Sequence, residues 1–506
     1  MSRDAVVEAL CAPDLAAVVD LVLWVEDGVA HAANALGAVR LHEGGHHEVL
    51  RGTDPVASED PMAFLPYEHE LRCPSPAVST DNAYPYAAQR ILSLFADAER
   101  SPDVAVVHTP RHYFPDEGGH VGEHGSLDVV QSRAPLLLSG AGVRRRGYVA
   151  EHARLVDVGP TLAVLAGVPE ADLRDGAGLP LDGRPMLEHL DLAVAVGDAD
   201  GPGDNARPGG RRRVVGILWD GAHCGELLAM AEAGRLPGIA RLVERGLALR
   251  GGAVAEFPSV TLTNHTSILT GVGPGRHGVL GNVYYDRATG QQVVPNDAET
   301  WHRSAEWLRP GVRTVFEMVN DHVPQGDSPR TASVDEAIDR GADYGTMALL
   351  RAVGGFEAAT KASEGVLPEP AESAYLRDAS HLTDDYFRWA VQVDDLGLQQ
   401  VLELWGDADS APTLTWWANT VTDAGHHGGG PRSDMARHAL EQSDARLVTF
   451  LDHLEGLGVL DEVTFLLTAD HGFEGSDPSV TGSWRPALDA LGIPYRDEGP
   501  GFVYLL

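Results

Sequence analysis

Three short apolar runs, each closed by an acidic residue, constrain this chain more than any other feature. Val214–Leu218 (VVGIL) runs into Trp219 and Asp220, Thr464–Thr468 (TFLLT) runs into Asp470 and His471, and Thr413–Val421 ends near Asp423. Runs this short and mostly apolar predict strands buried on both faces. Helical patterns lie between them. Pro237–Arg245 opens with proline and is stopped by Gly246; in Ser433–Gly456 the residues Met435, Leu440, Leu447, Phe450, Leu451 and Leu454 recur at roughly helical spacing. The alternation predicts an α/β fold, a doubly wound and mostly parallel sheet with helices on both faces. Ligands of such sheets bind at the carboxyl ends of the strands, which is where these acids and histidines fall.

The clearest break in the chain is Val196–Arg213 (VGDADGPGDNARPGGRRR), rich in Gly, Pro and Asp and without apolar periodicity, which reads as a linker. It separates residues 1–195 from residues 214–506. The first part follows the same grammar: Val104–Val107 and Leu136–Leu138 read as buried strands, and Pro160–Ala166 as a helix closed by Gly167. No internal repeat is present. Residues 286–400 are irregular and loop-rich, and read as a cap inserted over the sheet.

Charge narrows the partners. The 38 Lys and Arg against 74 Asp and Glu leave a formal net charge of −36. Such a surface argues against a nucleic-acid polymer or an anionic membrane, since phosphate backbones need a basic face. Lys361 is the only lysine. Cys11, Cys73 and Cys224 cannot build a disulfide framework. With no apolar run of about 18 residues and acids at the start of MSRDAVVEALCAPD, the expectation is a soluble, cytoplasmic protein.

Four polar clusters carry candidate chemistry. Asp220, in LWDGAH, could equally be a turn or helix-cap residue. In FPSVTLTNHTSILTGVGPGRHGVLGN (257–282), Pro258 breaks the chain before a helix, and Thr261 at its start is a candidate nucleophile or a simple cap. In TVTDAGHHGGGP, Asp423 and His427 stand four apart, with His426 as an alternative; carboxylate plus imidazole suits Zn²⁺, while a polar turn would use the same residues. In LLTADHGFE, adjacent Asp470 and His471 end a buried strand, where they are costly unless solvated, paired or metal-bound.

Together, Asp220, Thr261 within FPSVTLTNH…TG…HG…GN, DAGHHGGGP and TADHGF resemble the alkaline phosphatase superfamily, and most of all its type I phosphodiesterase and nucleotide pyrophosphatase branch. The resemblance covers most of 213–506. It implies two zinc ions, or Mn²⁺ or a mixed pair, bridged by the transferring phosphoryl group. Asp220, Thr261, Asp470 and His471 would surround one ion; Asp423 and His427 would hold the other; Asn282 would hydrogen-bond a phosphoryl oxygen. The family's third histidine for the second ion belongs to an HG motif near the end of the chain, and GFVYLL supplies none. The segments GGHVGEHGSLDVVQSRAPLLLSGAGV and LVDVGPTLAVLAGVP resemble that missing region, with His124 in the HG position and His120 as a weaker substitute. The order is therefore reversed. The expectation is a circular permutation, with 196–213 joining the ancestral ends and Gly501–Leu506 leading into Ala5–Leu10; a separate N-terminal domain, or His124 serving a second subunit, are the rivals.

The resemblance implies hydrolysis of a small phosphorylated substrate, a phosphodiester or pyrophosphate and so possibly a nucleotide, through a phospho-Thr261 intermediate. A phosphomonoesterase is the nearest alternative. Phosphonoacetate hydrolase is also similar, especially over GNVYYDRATGQQVVPND, but holds its substrate carboxylate with lysines, and this chain has one. Sulfatases need a nucleophile followed by Pro and Arg, absent from CAPDL and CPSPA. A non-catalytic metal-binding protein would have no use for a hydroxyl among its ligands.

Overall fold

The structure, a computed structural model, describes residues 3–42, 44–56, 58–64, 83–115, 118–191, 212–355, 385–499 and 501–506. The expected linker lies outside the described residues up to 211, and so do Lys361, Cys73 and part of the expected cap.

Two sheets organise the molecule. The first has eight strands in the order Tyr344–Gly345, Thr331–Val334, Leu414–Asn419, Arg213–Trp219, Val463–Thr468, Leu136–Gly140, Gly246–Leu249, Gly147–Val149. The first five run parallel; Leu136–Gly140 is antiparallel to both neighbours, and Gly147–Val149 is parallel to Gly246–Leu249. The central strands are buried at every residue, as their apolar runs require. Adjacent tryptophans point to opposite faces. Trp417 meets Phe450 of the Asp434–Gly456 helix, whereas Trp416 and Leu162 of the Val158–Ala166 helix crowd the place a side chain on Gly216 would take. Helices thus pack on both faces, and truncating either tryptophan removes about 3–5 kcal/mol.

The second sheet departs from expectation. It is antiparallel throughout, in the order Tyr495–Glu498, Phe502–Leu505, Val104–His108, Val19–Glu26, Val29–Ala33, Gly37–His42, His46–Gly52. Val104–His108 therefore belongs to an antiparallel sheet, not to a repeat of the strand–helix grammar. Phe502 and Val503 pair with Ala105 and Val104, so the last strand of the chain joins strands from its first hundred or so residues. The Arg3–Leu10 helix adds Val6 and Leu10 to an apolar cluster with Val104, Val503, Trp484 and Leu488.

Other differences are local. The helix ends at Glu244, and Gly246 opens a strand instead of stopping a helix. A Cβ there would fall 1.9 Å from the Leu138 carbonyl oxygen, so close backbone approach is what demands glycine. TVTDAGHHGG is not a turn after a strand. The strand ends at Asn419, and Val421–Gly429 is a helix. Its glycines suit tight packing on the next helix: a Cβ on Gly425 would meet that of Ala439 at 2.6 Å. Part of the stretch read as a cap, Thr331–Val334 and Tyr344–Gly345, is the edge of the main sheet. No helix among the described residues is long and apolar enough to cross a membrane.

Candidate metal centre

The parallel strands set the stage. Trp219 is in register with Asn419 and Leu218 with Thr468, so Asp220, the Val421–Gly429 helix, Asp470 and His471 all leave the same edge of the sheet. On that helix Asp423 and His427 are one turn apart, and His427 Nε2 lies 3.4 Å from Asp423 Oδ1. The Thr261–Thr270 helix supplies the fourth side. The fifth comes from the other end of the chain. Gly122–Glu123 pairs with Glu474–Gly475, and Val121 N–H donates to the His427 carbonyl, which delivers His124 to the site.

His124 Nε2 is 3.2 Å from His427 Nε2, and its ring stacks on His471 with centroids 3.7 Å apart. The Nδ1 atoms of His124 and His427 are taken up by the carbonyls of Ser259 and Gly122, at 3.0 and 2.9 Å, so each ring turns Nε2 inward. Asp470 Oδ1 accepts from Gly221 N–H at 2.9 Å, which leaves Oδ2 facing His471 Nε2 at 3.2 Å. Thr261, first residue of its helix, is bracketed: Ser259 touches His124, and His265, one turn on, approaches Asp220 and Asp470. Asn282 Oδ1 accepts from Leu262 N–H at 3.3 Å, placing its carboxamide beside that helix start.

The arrangement is electrostatically incomplete as protein alone. Asp220 Oδ1, Asp423 Oδ1, Asp470 Oδ2 and His471 Nε2 are buried without a hydrogen-bond partner. Burial, then Asp470 and Asp423, push the Asp220 carboxyl well above its usual range. Burial and the neighbouring imidazoles hold His124 well below the imidazole range; burial, opposed by Asp423, takes His427 down to about 4. Orphaned carboxylates beside neutral imidazoles are the donor set of a divalent cation, and the residues fit one. Asp220, Asp423 and His471 form one group whose ligand atoms lie within 4.8 Å of one another; His124, Asp423 and His427 form another.

The structure therefore brings together Asp220, Asp423, Asp470, His471, His427 and His124, with Thr261 and Asn282 alongside. It turns His426 away: Nδ1 is bound to the Thr422 carbonyl, and Nε2 lies 3.7 Å from buried Glu226. His120 stands against His427, at 4.2 Å between centroids, in a further group with Glu123. With His427 Nδ1 committed to Gly122, that group would compete for the same Nε2. Two residues at the site had no role in the sequence reading: His265 was expected only to pack near it, and Tyr386 was not singled out. His265 sits four residues after Thr261 and so on the same helix face, a spacing that could have flagged it. Tyr386 donates its hydroxyl to Asp423 Oδ2 at 3.0 Å from a helix 37 residues upstream, which no local pattern signals.

A mostly parallel α/β sheet with carboxylates and imidazoles gathered at its strand ends defines a protein with a candidate divalent-metal centre. The chain belongs to the type I phosphodiesterase / nucleotide pyrophosphatase family, whose model matches residues 214–485. It is 34% identical over 112 residues to the alkaline phosphatase PafA of Elizabethkingia meningoseptica, covering 22% of this chain and 19% of that protein. It is 32% identical over 97 residues to ectonucleotide pyrophosphatase/phosphodiesterase 2 of Saccharomyces cerevisiae, covering 15% and 18%. The chain thus spans about a fifth of the length of the curated relatives it matches. Among solved structures it is similar to phosphonoacetate hydrolase from Sinorhizobium meliloti 1021 (23% identity, 53% of this chain and 58% of that one, TM-score 0.34). It is also similar to murine ectonucleotide pyrophosphatase / phosphodiesterase 5 (14%, 53% and 59%, TM-score 0.38).

Proposed function

We propose that this chain is a two-metal phosphoric ester hydrolase that cleaves a phosphodiester or pyrophosphate bond of a small substrate through Thr261. The observation that carries the reading is the convergence of three carboxylates, each with an orphaned oxygen, and three imidazoles, of which His471 Nε2 is orphaned, beside the first residue of a helix. Asp220, Thr261, Asp470 and His471 would hold one ion, and Asp423, His427 and His124 the other, with Zn²⁺ or Mn²⁺ as candidates. When bound, such ions supply Lewis acidity that eases loss of a hydroxyl proton and neutralises phosphoryl charge.

The protein's own groups then divide the work. The Thr261 oxygen attacks phosphorus in line with the departing alcohol or phosphate, the P–O bond to the leaving group breaks, and a phosphothreonine forms. Water displaces it, releasing phosphate or a phosphomonoester and restoring the hydroxyl. Asn282 keeps Oδ1 on Leu262 N–H, so its Nδ2 is the donor left for an equatorial phosphoryl oxygen. The amides at the start of the Thr261–Thr270 helix favour the same negative charge.

We also read the chain as circularly permuted. Pairing of Phe502–Leu505 with Val104–His108, and delivery of His124 to His427, support it.

The test is release of nitrophenol from bis(4-nitrophenyl) phosphate and from 4-nitrophenyl phosphate, with and without chelator. Zinc-restored turnover favouring the diester, abolished in Thr261→Ala, is expected. No turnover of either ester with zinc, or an undiminished rate in Thr261→Ala, overturns it.

A further inference from the structure

His265 is buried in the centre, and its surroundings give it a direction. Nδ1 lies 2.9 and 3.1 Å from the two Glu336 oxygens. Glu336 is itself locked in place: Oε2 also accepts from Trp416 Nε1 at 2.9 Å, and Oε1 from Ile338 N–H at 2.9 Å. A carboxylate held this way accepts a hydrogen bond from His265 Nδ1–H, so Nδ1 carries the hydrogen and Nε2 is the atom turned to the site. That Nε2 is buried with no hydrogen-bond partner, 3.7 Å from Asp220 Oδ2 and 3.6 Å from Asp470 Oδ2. These gaps are too long for hydrogen bonds. They are close to the roughly 3–3.6 Å expected between donor atoms that share one ion at about 2.1 Å. Asp220, His265 and Asp470 bring all their ligand atoms within 4.8 Å of one another.

We propose that His265 is a ligand of the cation held by Asp220 and Asp470, with Glu336 as the positioning residue that fixes its ring. The inference rests on the reading of the site as a metal centre. A carboxylate behind a histidine behind a metal is a recurrent device: it sets the tautomer and the orientation of the ring. Here it places two imidazoles on the Asp220–Asp470 pair, His265 and His471. It also ties the segment after the Thr331–Val334 strand to the ion, so the stretch read from sequence as a cap contributes to the centre itself.

The experiment uses the full chain carrying His124→Ala and His427→Gln, which removes both imidazoles of the other centre, titrated with Co²⁺ and followed by visible absorption. In this background Glu336→Gln should weaken Co²⁺ binding roughly ten- to a hundredfold, and His265→Gln should weaken it at least as much and alter the ligand-field spectrum. If the background binds one Co²⁺ and His265→Gln leaves affinity and spectrum unchanged, the assignment falls while the metal reading stands. If the unmodified chain binds no Co²⁺ or Zn²⁺ at all, the metal reading falls and takes this with it. Should His265→Gln fail to fold, the near-isosteric Glu336→Gln decides: unchanged binding overturns the proposal.

Discussion

His124 Nε2 and His427 Nε2 stand 3.2 Å apart although 303 residues separate them in the chain. Both rings have Nδ1 tied to a backbone carbonyl, and Asp423 Oδ1 lies 3.4 Å from the same His427 atom. Removing His124 leaves two donors where three converge. His124→Ala should therefore weaken zinc at this centre by roughly tenfold or more and cut turnover, with the other centre still loaded. Competition titration against a chromophoric chelator measures it, and two equally tight ions in the variant would contradict the assignment.

Asp220 gives a prediction whose sign reverses with metal. In the ion-free chain, burial, Asp470 and Asp423 all disfavour its charge. Asp220→Asn removes the ionisable carboxyl and the cost of placing it in that cluster, so the ion-free variant should melt higher than the parent at neutral pH. Saturating zinc should stabilise the parent by about 4 kcal/mol at a thousandfold excess over Kd, and the variant by much less. Melting curves with chelator and with zinc should cross over. A variant less stable than the parent under both conditions would show that the carboxylate is structural.

The sequence revealed the parallel half of the fold because its strands are buried on both faces and their runs end abruptly in Asp220 and in Asp470–His471. The helix that carries Asp423 and His427 was not legible, although four residues apart means one helical turn: the strand was expected to run on to Val421, and TVTDAGHHGG looks too glycine-rich for a helix until Gly425 is seen against Ala439. The antiparallel sheet stayed hidden for a physical reason. Val29–Ala33 reads VAHAA, poor in strand-forming residues, and Val19–Glu26 is buried along most of its length, so neither shows the alternation of a half-exposed strand. Glu336 could not be assigned, because its partner His265 is 71 residues away.

Away from the centre, Asp20 offers a test by pH. It lies in the antiparallel sheet, accepting from Tyr84 Oη at 2.8 Å. Burial, opposed by that bond and reinforced by Asp128, pushes its carboxyl up to about 7. A raised acid binds its proton more tightly folded than unfolded, so its contribution is most favourable at low pH. Stability is lost as pH climbs from the unfolded value near 4 towards 7, then levels off. Asp20→Asn keeps an acceptor and loses the charge. Its advantage over the parent should be close to nil near pH 4 and grow to about 2–4 kcal/mol above pH 7. Denaturant melts across that range measure it, and a difference independent of pH would rule out a buried, titrating Asp20.

The permutation proposed above makes its own demand on the two ends of the fold. Val6 and Leu10 share an apolar cluster with Val503, Trp484 and Leu488, and Val503 pairs with Val104. A chain joined from Leu506 to Met1 by a flexible Gly/Ser linker, and opened within 196–211, keeps every one of these contacts and the approach of His124 to His427. Only a connection changes. Loop-closure entropy grows slowly with length, about 0.6 kcal/mol per doubling, so the rejoined protein should match the parent to within about 1 kcal/mol. It should retain zinc binding and nitrophenyl ester turnover. Circular dichroism melts and the turnover assay decide the matter: a rejoined chain that folds but loses the His124–His427 centre would mean that the present order of segments is needed to build it.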